Sequence, residues 1–184
     1  QGRTIGDVEW PPDGRGAVYI EFQTRLIGHL DIPSGRDSVI YRLPPDQTLG
    51  RGLALSPDGR SIAASVFERG GSAIHIIPVT GGAARPLIRL KAPDSLLLQE
   101  WTRDGRAVMF VRSREIPGAI AAQEWHLWSI DAAGGEARYL NLSMPDLGTV
   151  RPSPDGRRLA FTSRNSRNRI RVLDNVLTAL RESR

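Results

Sequence analysis

The sequence predicts an all-β protein, a β-propeller of about four blades, from three observations. Asp-Gly pairs begin at Asp13, Asp58, Asp104 and Asp155, spaced 45, 46 and 51 residues apart, and a period in the forties suits a four-stranded propeller blade. Short apolar runs follow the pairs with the two-residue alternation of strands, without the 3.6-residue period that helical repeats would show. Turn residues separate the runs, among them Gly-Gly at 81–82 and 134–135. The expected blades are 5–45, 50–92, 96–143 and 148–174, with a short terminal helix or tail over 175–184.

Each unit opens on a corner such as Ser56-Pro57-Asp58-Gly59-Arg60. Pro57 presets φ for the first central position of a type I turn, and Asp58 tolerates the next while accepting hydrogen bonds from nearby amides. Gly59 supplies the positive φ that a bulged three-residue hairpin requires. The strand after the corner reads "SIAASVF", "AVMFV" and "RLAFTS" in the later units. Ile62, Val108 and Leu159 hold one equivalent position, and Ala64, Phe110 and Phe161 follow two residues later on the same face. The next strand reads "HLDIPSG", "IHIIPVTGG", "LWSIDAAGG" and "IRVLDN", and "ARPLIRL" and "EARYLNL" read as outermost strands. Proline-bearing links such as "KAPDS" and "SMPDLG" lead onward. The fourth unit lacks a clear outer strand and ends in "DNVLTALRESR", where Val176, Leu177 and Leu180 have helical spacing. Four units with the last incomplete suggest part of a larger ring, so self-association through open blade edges or marginal stability is expected.

Composition narrows the function classes. The 184 residues are 40% apolar and 24% charged, as in ordinary globular domains, and no apolar run is long enough for a membrane-spanning helix. With no cysteine, disulfides, thiolate metal sites and cysteine nucleophiles are excluded. The start at Gln1 suggests a processed or shortened chain. Net charge is +5, with Lys91 the one lysine. Arg157, Arg158, Arg164, Arg167, Arg169 and Arg171 have only Asp155 as a local acid, and Arg164, Arg167 and Arg169 form a candidate basic patch. A solvated strand edge explains this run better than a nucleic-acid contact.

The corner itself holds an acid, a hydroxyl and a base, but one copy per blade fits a fold device better than an active site. One carboxylate per turn also falls short of calcium's six to eight oxygens. His29, His75 and His126 lie in or beside the third strands of their blades. Matching "HIIPVTGG" to "WSIDAAGG" sets His75 against Trp128 with His126 two positions earlier, and matching "IPSG" to "IPVT" sets His29 against Ile74, on the opposite face. A shared metal ring is therefore not expected, and no cofactor is. There is no G-x-S-x-G elbow, and "GRG" at 14–16 and 50–52 lacks the context of a phosphate loop. The candidate partner-binding loop is Ser113–Trp125, whose Ile116, Ile120 and Trp125 could seed an interface or cover the neighbouring blade. Trp128 is expected in blade core.

The pattern aromatic-Ser-Pro-Asp-Gly-Arg-x-apolar-Ala-Phe followed by "LWSIDAAGGEARYL" resembles the WD-like repeats of TolB-type propellers, best at Trp101–Phe110 and Leu127–Leu140. The first unit, with "WPPDG", and the fourth, with Pro152 at the aromatic position, depart from it. The resemblance implies a non-catalytic binding or sensor scaffold for a protein or peptide partner, and favours an extracytoplasmic setting. Similar repeats form sensor-like parts of bacterial kinases and winged-helix regulators, which the closing "IRVLDNVLTAL" resembles. The alternative is a gating or accessory propeller of a larger enzyme such as a prolyl-oligopeptidase-like peptidase.

Overall fold

A computed structural model describes residues 4–115, 123–145, 147–164 and 168–174. Among the described residues all regular structure is strand; the terminal helix expected over 175–184 lies outside them. Blade 1 comprises β1 (Ile5–Glu9), β2 (Gly16–Glu21), β3 (Leu26–Asp31) and β4 (Arg36–Arg42). Blade 2 comprises β5 (Thr48–Leu55), β6 (Ser61–Glu68), β7 (Gly71–Pro78) and β8 (Arg85–Lys91). Blade 3 comprises β9 (Ser95–Trp101), β10 (Ala107–Glu115), β11 (Gln123–Asp131) and β12 (Arg138–Pro145). Blade 4 shows β13 (Leu147–Pro152), β14 (Arg158–Arg164) and β15 (Asn168–Asp174). Each is an antiparallel sheet whose strands lie side by side in chain order, so hairpins make every connection within a blade.

The chain divides into two compact units, Gln1–Ala92 and Pro93–Arg184, and each joins two blades face to face. In the first unit, Val18, Ile20 and Ile27 of blade 1 share a core with Leu53, Ile62, Ala64, Val66 and Ile77 of blade 2. In the second, Met109, Val111 and Leu127 of blade 3 share one with Val150, Leu159 and Phe161 of blade 4. Counting from the corner aspartate, Ile20 and Val111 hold the same place, as do Ala64 and Phe161. The two units therefore repeat one rule. The outgoing face of a blade, the face of Ile20 and Val111, packs on the incoming face of the next, the face of Ala64 and Phe161. Strand alternation makes this possible, because neighbouring residues of one strand serve opposite faces.

Polar staples join the first strands of each pair. The Gly52 amide donates to Asp7 Oδ2 at 2.6 Å in the first unit. In the second, the Val150 amide donates to Gln99 Oε1 at 2.8 Å, and Arg151 Nη1 donates to the Gln99 carbonyl and to Glu100 Oε2. Burial pushes the Glu100 carboxyl above its ordinary value, and Arg151 offsets only part of that.

Ile27 and Leu127 occupy equivalent positions, opposite Ile20 and Val111, and both are fully buried. Replacing either with alanine is expected to cost about 2–5 kcal/mol in denaturant unfolding. A loss below about 0.5 kcal/mol would remove these residues from the core.

Candidate functional site

The corners come first, because they hold the densest set of reactive groups. At the second, the Gly59 amide donates to the Ser56 carbonyl at 2.8 Å, with Gly59 at φ 70°. The Arg60 amide and the Ser56 hydroxyl both donate to Asp58 Oδ1, at 3.0 and 2.6 Å. The same hydroxyl accepts the Ser61 amide at 2.9 Å. Thr102 and Asp104 repeat the arrangement in blade 3, and Ser153 and Asp155 in blade 4. In blade 1 Pro11 stands at the hydroxyl position, and Asp13 keeps its bond from the Arg15 amide at 3.0 Å. These acids and hydroxyls are committed to each other and to the turn. The hydroxyl's double role escaped the sequence reading, although Ser or Thr stands two residues before the aspartate in three units.

Within each unit the blade ends opposite the corners carry the described β2–β3-type hairpins and the link between its two blades, and there the blades differ. In the first unit, Arg25 Nη1 donates to the Pro45 carbonyl at 2.9 Å and Arg42 Nη1 to the Thr24 carbonyl at 2.7 Å, tying hairpin to link. Arg25 adopts φ 56°, an uncommon state for a residue with a side chain. At the other end of the link, Glu68 gathers Gln47 Nε2 at 3.4 Å, His75 Nε2 at 2.8 Å and Arg89 Nε at 2.8 Å. Burial alone would raise the Glu68 carboxyl, but the hydrogen bonds from Arg89 and His75 outweigh it and hold Glu68 below its ordinary value. Gln47 Oε1 and His75 Nδ1 are buried without a hydrogen-bond partner.

In the second unit, Asp94 accepts two bonds from Arg112, and the Ser95 and Ser113 hydroxyls meet at 2.6 Å. The Arg112 guanidinium lies 5.7 Å from the Trp128 ring centroid, within cation–π range. Trp128 and His126 each lie 5.5 Å from the Tyr139 ring.

The structure separates the residues singled out from sequence. Trp125, expected in the loop, lies in β11 opposite Ser113 and Met144, because β10 and β11 run on to Glu115 and Gln123. It is half-buried against the core that blades 3 and 4 share. Ile116 and Ile120 lie outside the described residues, as does Arg167. Arg164 and Arg169 fall in β14 and β15. Trp128 is a half-buried strand residue paired with Phe110. His75 opposes Ala64, and Trp128 holds the equivalent place in blade 3. His29 lies against Gly16 on the outgoing face of blade 1, while His75 is on the incoming face of blade 2. Its partner Val18 gives it the place of Ile76, not Ile74. Among the described residues no three His, Asp or Glu side chains form a group that could hold a metal ion.

The Ser56 hydroxyl, and then the Arg60 amide, hold Asp58 below its ordinary carboxyl value of 3.8. A depressed folded value means that the contribution to stability is present above the unfolded value and is lost as pH falls through the folded one. Ser56→Ala is therefore expected to move the Asp58 titration, followed by carboxyl NMR, up toward 3.8. An unmoved titration would show that the hydroxyl does not hold the acid.

No family model and no curated protein sequence matches the chain. Solved structures do match. TolB from Acinetobacter baumannii aligns at 20% identity with a TM-score of 0.72, over 94% of this chain and 41% of that one. Kuenenia stuttgartiensis hydrazine synthase aligns at 22% and 0.68, over 96% of this chain and 55% of that one. The β-propeller domain of the Trilobed protease from Pyrococcus furiosus, described as having an open velcro topology, aligns at 13% and 0.64, over 92% and 55%. The chain thus spans 41% of the length of that TolB and 55% of each of the other two. At these identities the likeness shows the fold, and the fold of this chain is that of the blades of TolB-like β-propellers.

Proposed function

We propose that this chain is a non-catalytic binding scaffold that presents the rim opposite the Asp-Gly corners to a protein or peptide partner. The observation that carries the reading is the contrast between the two rims. At the corners the same hydrogen-bonded turn recurs and its reactive groups are spent on the turn. At the opposite ends of the first three blades the sets differ: Arg25 and Arg42 in blade 1, Gln47, Glu68 and Arg89 at blade 2, and Asp94 and Arg112 at blade 3. Variable loops held by a rigid sheet scaffold are where recognition residues concentrate. Ile116 and Ile120 fall between β10 and β11 in sequence and lie outside the described residues, and they join the proposed surface on their sequence alone. The reading assigns no chemical step to this chain. Net positive charge favours acidic partner segments.

A second reading, an accessory propeller of a larger enzyme, is favoured by one observation: a propeller domain of a protease is among the similar structures. The two readings share the rim and differ in what stands beside it.

The test is selection of peptide ligands from a random displayed library against the 184-residue chain, followed by affinity measurement. Replacing 116–122 with a short glycine linker is expected to weaken the selected peptides at least about tenfold, about 1.4 kcal/mol. Asp104→Asn at a corner is expected to leave their affinity within about twofold, under about 0.5 kcal/mol. Binding that depends on the corner and not on the rim would reverse the assignment. Turnover of a peptide by the isolated chain, abolished by one substitution, would end the non-catalytic reading.

A further inference from the structure

Arg89, Arg112 and Arg151 each meet an acid: Glu68 at 2.8 Å, Asp94, and Glu100 at 2.8 Å. Arg25 and Arg42 are held differently. Arg25 Nη1 donates to the Pro45 carbonyl and Arg42 Nη1 to the Thr24 carbonyl, and both acceptors are uncharged. Among the described residues neither guanidinium makes an ion pair. Asp46, the residue after Pro45, is exposed and pairs with neither.

The two side chains cross. Leu26 pairs with Arg42 in the β3–β4 ladder, and the Leu43 amide donates to the Arg25 carbonyl at 2.9 Å, so their backbones are neighbours. Arg25 reaches forward to the link that follows Arg42, and Arg42 reaches back to the hairpin that precedes Arg25. Thr24 and Pro45 are exposed and lie outside the strands, which sets the pair at the blade end and not on a face that a neighbouring blade would cover. The link is stiff, because Pro44 and Pro45 have fixed φ and the Gln47 amide donates to the Pro44 carbonyl at 3.1 Å.

An arginine held by one neutral carbonyl keeps its whole charge, and most of its five N–H donors remain to be used. Two such cations on neighbouring strands repel each other, and no ion pair here offsets that. Arg25 also holds φ 56°, which glycine adopts at no steric cost. The turn is served better by glycine, so what arginine adds at position 25 is its guanidinium. Residues kept in such sparsely populated backbone states cluster at ligand clamps.

We propose that Arg25 and Arg42 form a clamp for the carboxylates of an acidic peptide segment. The inference rests on the reading of this rim as the partner-binding surface, and it names the partner's chemistry and the residues that meet it. Guanidinium forks match carboxylates in bidentate geometry. Anchoring by Thr24 and Pro45 lowers the ordering cost that a loose surface arginine carries on binding. An incoming carboxylate supplies the missing counter-charge while the carbonyl bonds stay in place. Asp46 and Glu68 stand at the same blade ends, and they oppose the continuous charge of a polyphosphate backbone more than separate carboxylates.

The test is titration of the intact 184-residue chain with a capped tetraglutamate peptide at fixed ionic strength, followed by the arginine Nε–Hε NMR signals. The Arg25 and Arg42 signals are expected to move saturably, and a capped tetraglutamine peptide to leave them still. Arg42→Gln and Arg25→Gly are each expected to weaken tetraglutamate at least about tenfold. Glycine suits φ 56°, so Arg25→Gly is expected to keep the wild-type melting transition. Arg15→Gln removes an exposed charge at a corner and is expected to leave the affinity within about twofold. Signals that tetraglutamate does not move overturn the clamp. So does an equal loss in Arg15→Gln, which would mean diffuse charge attraction, or inorganic phosphate that binds as tightly as tetraglutamate, which would mean a general anion site. Rim peptides selected from the library that bind Arg25→Gly and Arg42→Gln as well as wild type overturn the clamp and leave the scaffold reading standing. Tetraglutamate bound at the pair with no rim peptide selected supports the clamp and removes the scaffold reading.

Discussion

A blade with apolar side chains on both faces cannot be satisfied by one neighbour. This constraint organises the molecule. In β2, Val18 and Ile20 point to one side and Ala17 and Tyr19 to the other, and in β6 Ile62, Ala64 and Val66 take the side that meets blade 1. Burying one such aliphatic side chain is worth about 1.5–3 kcal/mol, so an uncovered face forgoes several of these at once. The remaining features follow from the demand for face-to-face cover. The first strands of paired blades lie close enough for Asp7 to reach the Gly52 amide and Gln99 to reach the Val150 amide. The links between blades then have to run over the rim.

Where those links run, polar groups take over from packing. Glu68 draws Gln47 from the link, His75 from the third strand and Arg89 from the outer strand to one carboxylate. Arg25 and Arg42 hold the neighbouring hairpin through backbone carbonyls. The rim is thus stiff at its base while its sequence differs from blade to blade, a combination that suits recognition. The corners of blades 2, 3 and 4 share one arrangement because their hydrogen bonds serve the turn, and blade 1 keeps the Asp13 part of it.

How far the sequence could be read depended on how local each interaction is. Pro57, Asp58 and Gly59 sit in one turn, and their geometry follows from residue chemistry. Face assignments such as Ile62 with Ala64 and Leu159 with Phe161 follow from alternation. Errors arose where local pattern and backbone pairing part. The polar "RSRE" hides the continuation of β10, so Trp125 reads as loop although the ladder passes through it. Matching by the Ile-Pro pairs sets His29 two places away because Ile32-Pro33 lie in the turn after β3 whereas Ile77-Pro78 end β7. The Glu68 cluster draws on four separate segments, and nothing in any one of them announces the others.

The corner hydrogen bonds also say something about how the chain acquires its structure. All bonds of the second corner lie between Ser56 and Ser61, so each hairpin can fix its register before any distant segment is present. Contacts this short in sequence close quickly, whereas face-to-face cores must wait for the following blade. During synthesis each blade would therefore stand registered but half-covered until its successor emerged, and folding would advance from the N-terminal blade onward. A corner of this sort is a portable unit. Its register needs nothing from the blades on either side.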